Sequence, residues 1–213
     1  MAKIRLLASA LGASIAISLG GGANGAAPDI QVGAAAQVVN SVYGTPESTG
    51  QARWWRSGLD VFHNETVVTA EVSASRVIFR DKSQLSIGPT SWVKLDTFVY
   101  DPNPSNATVS ISFVKGVFRF VSGSLSKENY KITTPAATIG VRGTAFTVFI
   151  LQGGREIISV ESGTVYVTCH RGVTVALNAG QMTYINSPQG SPNTAQPSAP
   201  IPAVTQMDAL LPR

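Results

Sequence analysis

From about Gln37 onward, the chain is a succession of short runs in which apolar and polar residues alternate. The runs are rich in Val, Ile, Thr and aromatic residues and are divided by Gly, Pro, Asn and Asp. A period of two puts successive side chains on opposite faces of a strand. The pattern predicts strands over Gln37 to Tyr43, Val67 to Thr69, Ser75 to Arg80, Gln84 to Ile87, Trp92 to Tyr100 and Thr108 to Phe113. It continues with Val117 to Val121, Lys131 to Thr133, Ala145 to Leu151, Ile157 to Val160, Thr164 to Cys169, Thr174 to Leu177 and Met182 to Ile185. Helical periodicity is nearly absent, so the expected class is all-β.

The breaks fit the strands. Arg80-Asp81-Lys82-Ser83 reads as a tight turn between two alternating runs. Gly88-Pro89 closes a run, and Asp101-Pro102-Asn103-Pro104 ends one at Tyr100, because proline has no ladder donor. A weak repeat adds to the picture. Lys115-Gly116-Val117-Phe118-Arg119-Phe120-Val121 and Ser162-Gly163-Thr164-Val165-Tyr166-Val167-Thr168 are each a glycine followed by an alternating strand, and Val173 to Leu177 followed by Ala179-Gly180-Gln181 adds a third such unit. Glycine corners between short strands are how a β-helix turns its rungs. The expectation is a short β-helix or solenoid-like stack, with a β-sandwich or jelly roll as the alternative.

The two ends differ from this pattern. Lys3 and Arg5 precede an apolar run from Leu6 to Leu19, and Ala23-Asn24-Gly25 suits a signal peptidase. That run of about 14 residues is shorter than the roughly 18–20 that a spanning helix needs, so a cleaved secretory signal over residues 1–25 is expected. Residues 26–186 then form the β domain. Residues 187–213, rich in Pro, Ser, Asn and Gln, read as a flexible tail in which Val204 to Leu211 could form a helical turn or two. The expected location is the periplasm, or secretion or the cell surface, with no stable membrane insertion after cleavage.

Charge narrows the partners. Lys3 and Arg5 leave with the signal, so the 16 basic residues fall to 14 against 12 acidic ones, scattered along the chain. A nucleic-acid binder would show a basic stripe, and a membrane-surface binder a polybasic patch. Cys169 is the single cysteine, so no intramolecular disulfide can form. Alternation puts it on the face of Val165 and Val167 as a small buried residue; a reactive thiol beside His170 is disfavoured because strand neighbours face opposite ways.

Catalytic and metal chemistry find little support. His63 and His170 are far apart in sequence, and no His, Cys or Asp cluster has metal-ligand spacing. No phosphate loop or nucleophile elbow is present, and no cofactor is expected. Gly140-Val141-Arg142-Gly143-Thr144 lacks the following helix that an anion site would use. Polysaccharide cleavage would need grouped carboxylates, whereas Asp96, Asp101, Glu156 and Glu161 are spread among apolar residues and read as solvated. The expectation is therefore a protein that is not an enzyme. Trp54-Trp55, flanked by Arg53 and Arg56, is a better lead. One ring of such a pair faces in and the other out, which leaves core packing and contact with a partner or glycan both open.

The most distinctive segment is Tyr130-Lys131-Ile132-Thr133-Thr134-Pro135-Ala136-Ala137-Thr138-Ile139-Gly140-Val141-Arg142-Gly143-Thr144-Ala145-Phe146. It reads as a strand, a proline stop, a small-residue corner and a second strand. Arg142 shares parity with Thr144, Phe146 and Val148, so it is expected to point toward the core. There it would need partners, because an unpaired buried charge is very costly. An internal clamp and a contact to a ligand or partner are its two readings.

This segment resembles the signature of the FecR family, named for the envelope regulator of iron-dicitrate transport. The preceding Lys115 to Gly123 and the following Val160 to Val167 and Leu177 to Gln181 stand in the family's order, as do Phe79 to Pro89 and Leu95 to Pro102 upstream. The resemblance spans roughly Gln37 to Asn186. It makes Thr134, Pro135, Ile139, Gly140, Arg142, Gly143 and Thr144 candidate structural or partner-contact residues, beside Trp54 and Trp55. It implies an extracytoplasmic sensing domain of short β-helical turns. In the iron regulators that domain follows a cytoplasmic anti-sigma segment and one transmembrane helix; this chain opens instead on a secretory signal. The implied function is a periplasmic, non-catalytic binding or signalling module related to iron-transport regulators, with a structural or adhesive cell-surface scaffold as the alternative. The partner is an envelope protein or ligand, and unpaired edge strands leave oligomerisation open.

Overall fold

The structure, a computed structural model, describes residues 30–99 and 108–212. The expected signal and the turn at residues 101–104 lie outside the described residues. The strands are β1 (Gln31–Val39), β2 (Val42–Pro46), β3 (Arg53–Trp54), β4 (Asp60–Phe62), β5 (Glu65–Thr69), β6 (Ala74–Phe79), β7 (Gln84–Ile87) and β8 (Trp92–Val99). They continue as β9 (Thr108–Val121), β10 (Tyr130–Thr133), β11 (Ala137–Ile150), β12 (Glu156–Cys169), β13 (Thr174–Asn178), β14 (Gln181–Ile185) and β15 (Gln196–Pro197), and a helix α1 (Pro202–Leu210) ends the fold. Among the described residues the protein is all-β, with one short α-helix and a 3-10 turn at Lys127–Asn129.

Burial follows the alternation: in β2 and β5 every second residue is buried. The runs expected as separate strands on either side of Gly116 and of Gly163 are continuous. β9, β11 and β12 are each 14 residues long and bend in the middle. The glycines that look like corners between rungs are bends within long strands. Accordingly, the strand pairings are antiparallel apart from β9 with β10, which gives stacked hairpins and not a coil of parallel rungs.

The three bent strands carry one sheet into two layers. The first contains β3, β2, β5, β8, the start of β9, β10, the start of β11, the end of β12, and β13. The second contains β4, β1, β6, β7 and the other halves of β9, β11 and β12, then β14 and β15. Their inner faces share one core. Phe113 and Phe118, on either side of the β9 bend, stack with centroids 4.2 Å apart. Fully burying such a side chain contributes roughly 1.5–3 kcal/mol.

The Arg80–Ser83 turn is tied to the rest of the fold. Asp81 is buried and accepts hydrogen bonds from the Ser83 hydroxyl at 2.6 Å and the Tyr130 hydroxyl at 2.5 Å. Burial, together with the hydrogen bond to Asp81 and its charge, pushes the Tyr130 phenol above its ordinary range.

The C-terminal segment, expected as a flexible tail, is docked instead. Asn193 donates its N–H to the Tyr184 carbonyl, and Ser198 donates its N–H to the Gly180 carbonyl. Met207 and Leu211 bury themselves against Ala74 and Val117 on the outer face of the second layer. Arg119, only 6% exposed, joins the helix to the sheet: it pairs with Glu161 at 2.7 Å and with Asp208. Arg76 donates to the carbonyls of Leu211 at 3.1 Å and Pro212 at 2.8 Å.

No segment among the described residues covers the outer face of the first layer in this way. Its side chains line up in rows set by the strand register. Trp54 lies opposite Tyr43, Tyr43 opposite Val68, and Val68 opposite Trp92. The next row begins Thr45, Thr66, Lys94 and Ser112. It continues through Thr133, Thr138, Thr168 and Thr174.

The bends constrain sequence most tightly at Gly163. Its φ is +75°, and a Cβ there would lie 2.2 Å from the Gly143 carbonyl oxygen. Gly172 has a φ of +81° but nothing within 4 Å. Both substitutions to alanine meet the backbone penalty, and only Gly163→Ala adds a clash. Urea denaturation should show Gly163→Ala losing more than about 1 kcal/mol, and clearly more than Gly172→Ala.

Candidate functional site

The signature segment forms two features at opposite ends of the first half of β11. The first is the Thr134-Pro135-Ala136 turn between β10 and β11. Its polar groups converge on Glu156, which is fully buried. The Thr134 hydroxyl donates to Glu156 Oε2 at 2.6 Å and accepts the Ala137 N–H at 3.0 Å, while the Ala136 N–H donates to Glu156 Oε1 at 2.9 Å. The Pro135 carbonyl lies 2.9 Å from His170 Nε2. Proline suits the turn because its missing N–H leaves nothing to satisfy. Ile139 is buried in the core.

The second feature is the Gly140-Val141-Arg142-Gly143-Thr144 bend. Arg142 pairs with Thr164, but Ala145 pairs with Ser162, so the register shifts between them. Gly143, with a φ of +60°, makes the shift possible. Ile139 and Val141 face inward before it, and Thr144, Phe146 and Val148 face inward after it. Parity therefore reverses across Gly143, and Arg142 is exposed, contrary to the expected core-facing position. It has no hydrogen bond or ion pair among the described residues. The internal-clamp role belongs instead to Arg119. Arg142 and Gly143 border an open hollow of about 450 Å³ together with Ser122, Ser126, Glu128 and Tyr130. The neighbouring Thr144 hydroxyl is buried and has no hydrogen-bond partner among the described residues, an arrangement that costs about 1–3 kcal/mol.

Trp54, the last residue of β3, and Trp55, just after it, face opposite ways. Trp55 is 5% exposed and donates its indole N–H to Glu65 Oε1 at 3.0 Å. Glu65 is fully buried and also accepts from Arg53 at 2.8 Å and from the Phe62 N–H at 3.0 Å. Trp54 is 71% exposed, with the Tyr43 ring edge-on at 5.8 Å. The tryptophans and the hollow are separate features of the protein, not one site.

The carboxylates read as solvated are mostly engaged. Glu156 holds the turn, Glu161 accepts from Arg119 and Thr147, and Asp96 accepts from the Ser112 hydroxyl. Asp101 lies outside the described residues. The roles of Asp81 and Glu156 are not legible in sequence because their partners lie 49 and 22 residues away, and Glu65 meets nearer partners only once the strands around it pair. Among the described residues, no three His, Cys, Asp or Glu are grouped to hold a metal ion, and no helix is long and apolar enough to cross a membrane. Cys169 is buried, with Ser191 Oγ 4.0 Å from its sulfur.

Burial raises Glu156 above the ordinary carboxylate value, although the hydrogen bonds from Thr134 and Ala136 and the charge of His170 pull it down. The folded state then holds this proton more tightly than the unfolded state does. The group's contribution to stability is full below the ordinary carboxylate value and declines as pH rises through the raised one. Glu156→Gln can keep both contacts, with its amide oxygen accepting from Ala136 and its NH2 donating to Thr134. Denaturation measured from pH 4 to 8 should show a flatter pH dependence for Glu156→Gln and no loss at pH 7. Glu156→Ala should lose about 1–3 kcal/mol for each turn group left unsatisfied.

Comparison with known proteins follows the signature. Residues 65–166 match the family model described as FecR protein. No curated protein is detectably similar in sequence. Two crystal structures of a candidate anti-sigma factor from Parabacteroides distasonis are similar, with TM-scores of 0.52 and 0.51 and identities of 15% and 14%. Each alignment covers 62% of this chain and 59% of the other, so the chain spans less than two thirds of those structures and the likeness concerns the fold. The matched region runs from the buried Glu65 of β5 to Tyr166 of β12 and takes in both the Thr134 turn and the Arg142 bend: residues 65–166 of this chain form a FecR-like domain.

Proposed function

We propose that this protein is an exported, non-catalytic signalling module of the bacterial envelope, related to the iron-transport regulators, and that it acts by binding another protein. The observation that carries this reading is the position of Arg142. A guanidinium with five donors stands exposed and unengaged beside an open hollow, on a bend held by two glycines. Arginine at such a site suits recognition of a carboxylate or of carbonyl groups on a partner. The likeness to a candidate anti-sigma factor supports a regulatory role, and the sequence pattern of residues 1–25 supports export to the periplasm. With that leader removed, a signal would have to pass through the partner.

A second reading, a structural or adhesive scaffold at the cell surface, is favoured by the exposed Trp54 and the extended two-layer sheet. The two are separated by affinity capture from envelope extract with wild-type protein and Arg142→Glu side by side. Under the signalling reading, wild-type protein captures a defined envelope protein. Arg142→Glu weakens that capture about tenfold or more, as loss of an arginine anchor does, with the melting temperature unchanged because Arg142 holds nothing in the fold. Equal capture by both forms, or capture of no envelope protein, sinks it; recovery with cell-wall material alone favours the scaffold. N-terminal sequencing of protein recovered from the periplasm should begin at Ala26; an intact leader in the cytoplasmic fraction counts against export.

A further inference from the structure

The two outer faces of the molecule are treated differently. The chain covers the second layer with its own helix. The first layer, among the described residues, stays uncovered and yet carries large rings. Trp54 is 71% exposed, Trp92 43% and Tyr166 41%. Single exposed apolar residues are ordinary, but these three share one face in fixed register. Trp54 begins the row that runs through Tyr43 and Val68 to Trp92, with Lys115 next beyond it. Three strand steps separate the two tryptophans, about 14 Å at the usual spacing. Tyr166 stands opposite Gly140 on the same face, beyond the row of hydroxyl residues.

Between the rings runs the row from Thr45 to Thr174, which crosses eight strands and is hydroxyl-bearing at every position except Lys94. Its members are half-exposed or exposed. Neighbouring hydroxyls already engage one another, at 2.7 Å for Ser112 with Thr133 and 2.9 Å for Thr168 with Thr174. A hydroxyl both donates and accepts, so such a row can match whatever hydroxyl pattern lies over it. Charge on the face is sparse: Lys94 stands 4.0 Å from Asp96, Lys115 and Lys131 are the other charged groups in these rows, and Arg142 stands beside them, two residues beyond Gly140 on the same side of β11.

A ligand for this face needs flat apolar faces for the rings and hydroxyls at its edges for the threonine row. It must also be extended enough to span strands and carry little charge. A protein partner would call for a desolvated apolar centre, and here the centre is a line of hydroxyls. We infer that the outer face of the first layer binds an extended β-1,4-linked glycan, laid across the strands with sugar faces on Trp54 and Trp92 and sugar hydroxyls along the threonine row. An extended ribbon can follow the row from strand to strand; a coiled glycan such as starch would touch it only at isolated points. This inference is independent of the Arg142 reading.

The test is a depletion isotherm of the full chain on insoluble cellulose, chitin and purified peptidoglycan, with starch as the coiled comparison. Retention is expected on at least one of the three β-1,4-linked materials and not on starch. Trp54→Ala and Trp92→Ala should each weaken retention about tenfold, in line with loss of an aromatic anchor. Thr66→Val keeps the shape of the side chain and removes its hydroxyl, and should weaken retention about threefold. Trp54 has little packing to lose, so its variant should keep the wild-type melting temperature. Absence of retention on all three β-1,4-linked materials overturns the inference, as does retention on starch alone or retention indifferent to both tryptophan substitutions. If the tryptophan variants lose capture of an envelope protein while no glycan is retained, the face is a protein interface. If they lose glycan retention while protein capture persists, the glycan site stands apart from Arg142.

Discussion

The crossing of two backbones at Gly143 and Gly163 governs the rest of the architecture. There is no room for a side chain between them, since a Cβ on Gly163 would meet the Gly143 carbonyl at 2.2 Å. Both strands change parity at this point. In β11 the inward residues are odd-numbered before the bend and even-numbered after it. In β12 they are even-numbered at Ile158 and Val160 and odd-numbered at Val165 and Val167. Because both flips occur at the same crossing, the two strands remain paired on either side of it while the sheet turns. A single sheet can then bury one face twice over. The same shift that keeps Phe146 and Val148 in the core puts Arg142 outside, so the exposed guanidinium follows from how the two layers are joined.

Buried carboxylates do for the turns what disulfides do in many small exported domains. Cys169 is the only cysteine. Glu156 holds the Thr134 turn, Glu65 gathers Arg53, Trp55 and the Phe62 N–H, and Asp81 joins the β6–β7 turn to Tyr130. Each group accepts several hydrogen bonds, which is the condition under which a charge can be buried at all. The contribution to stability is modest, because desolvation offsets much of the attraction. The consequence is geometric: Glu156 and Asp81 each fix a turn against a strand 22 and 49 residues away, and Glu65 ties β5 to the segment just before it.

Strand existence was legible in the alternation, and β7 falls on the expected residues. The errors have a common origin. Parity can be extrapolated along a strand only while the register holds, and a glycine at positive φ breaks it; Arg142 was misplaced for that reason. The tail looked unstructured because proline and serine dominate its composition, but composition does not reveal that Met207, Leu211 and Asp208 have a hydrophobic patch and Arg119 waiting on the sheet. The roles of Glu65 and Glu156, and the hydroxyl row, were invisible because they exist only once strands pair. Nothing in the spacing of Thr66, Thr133 and Thr168 along the chain announces that they are aligned.

The two outer faces show that covering a sheet is a choice written in its side chains. The second layer places Val117 and Phe149 outward and needs α1 to bury them. The first layer places mostly threonine there, which keeps the strand preference of a β-branched residue while remaining compatible with water. On stability grounds that solution is complete, and it leaves the three exposed rings unaccounted for. Gly140 points the same way. Its φ is not positive, and a Cβ there would come no nearer than 3.8 Å to Tyr166, an ordinary contact. Neither backbone strain nor packing asks for a glycine at that position. What its bare backbone does is leave the face of the sheet open beside Tyr166, which matters only if something lies down upon it.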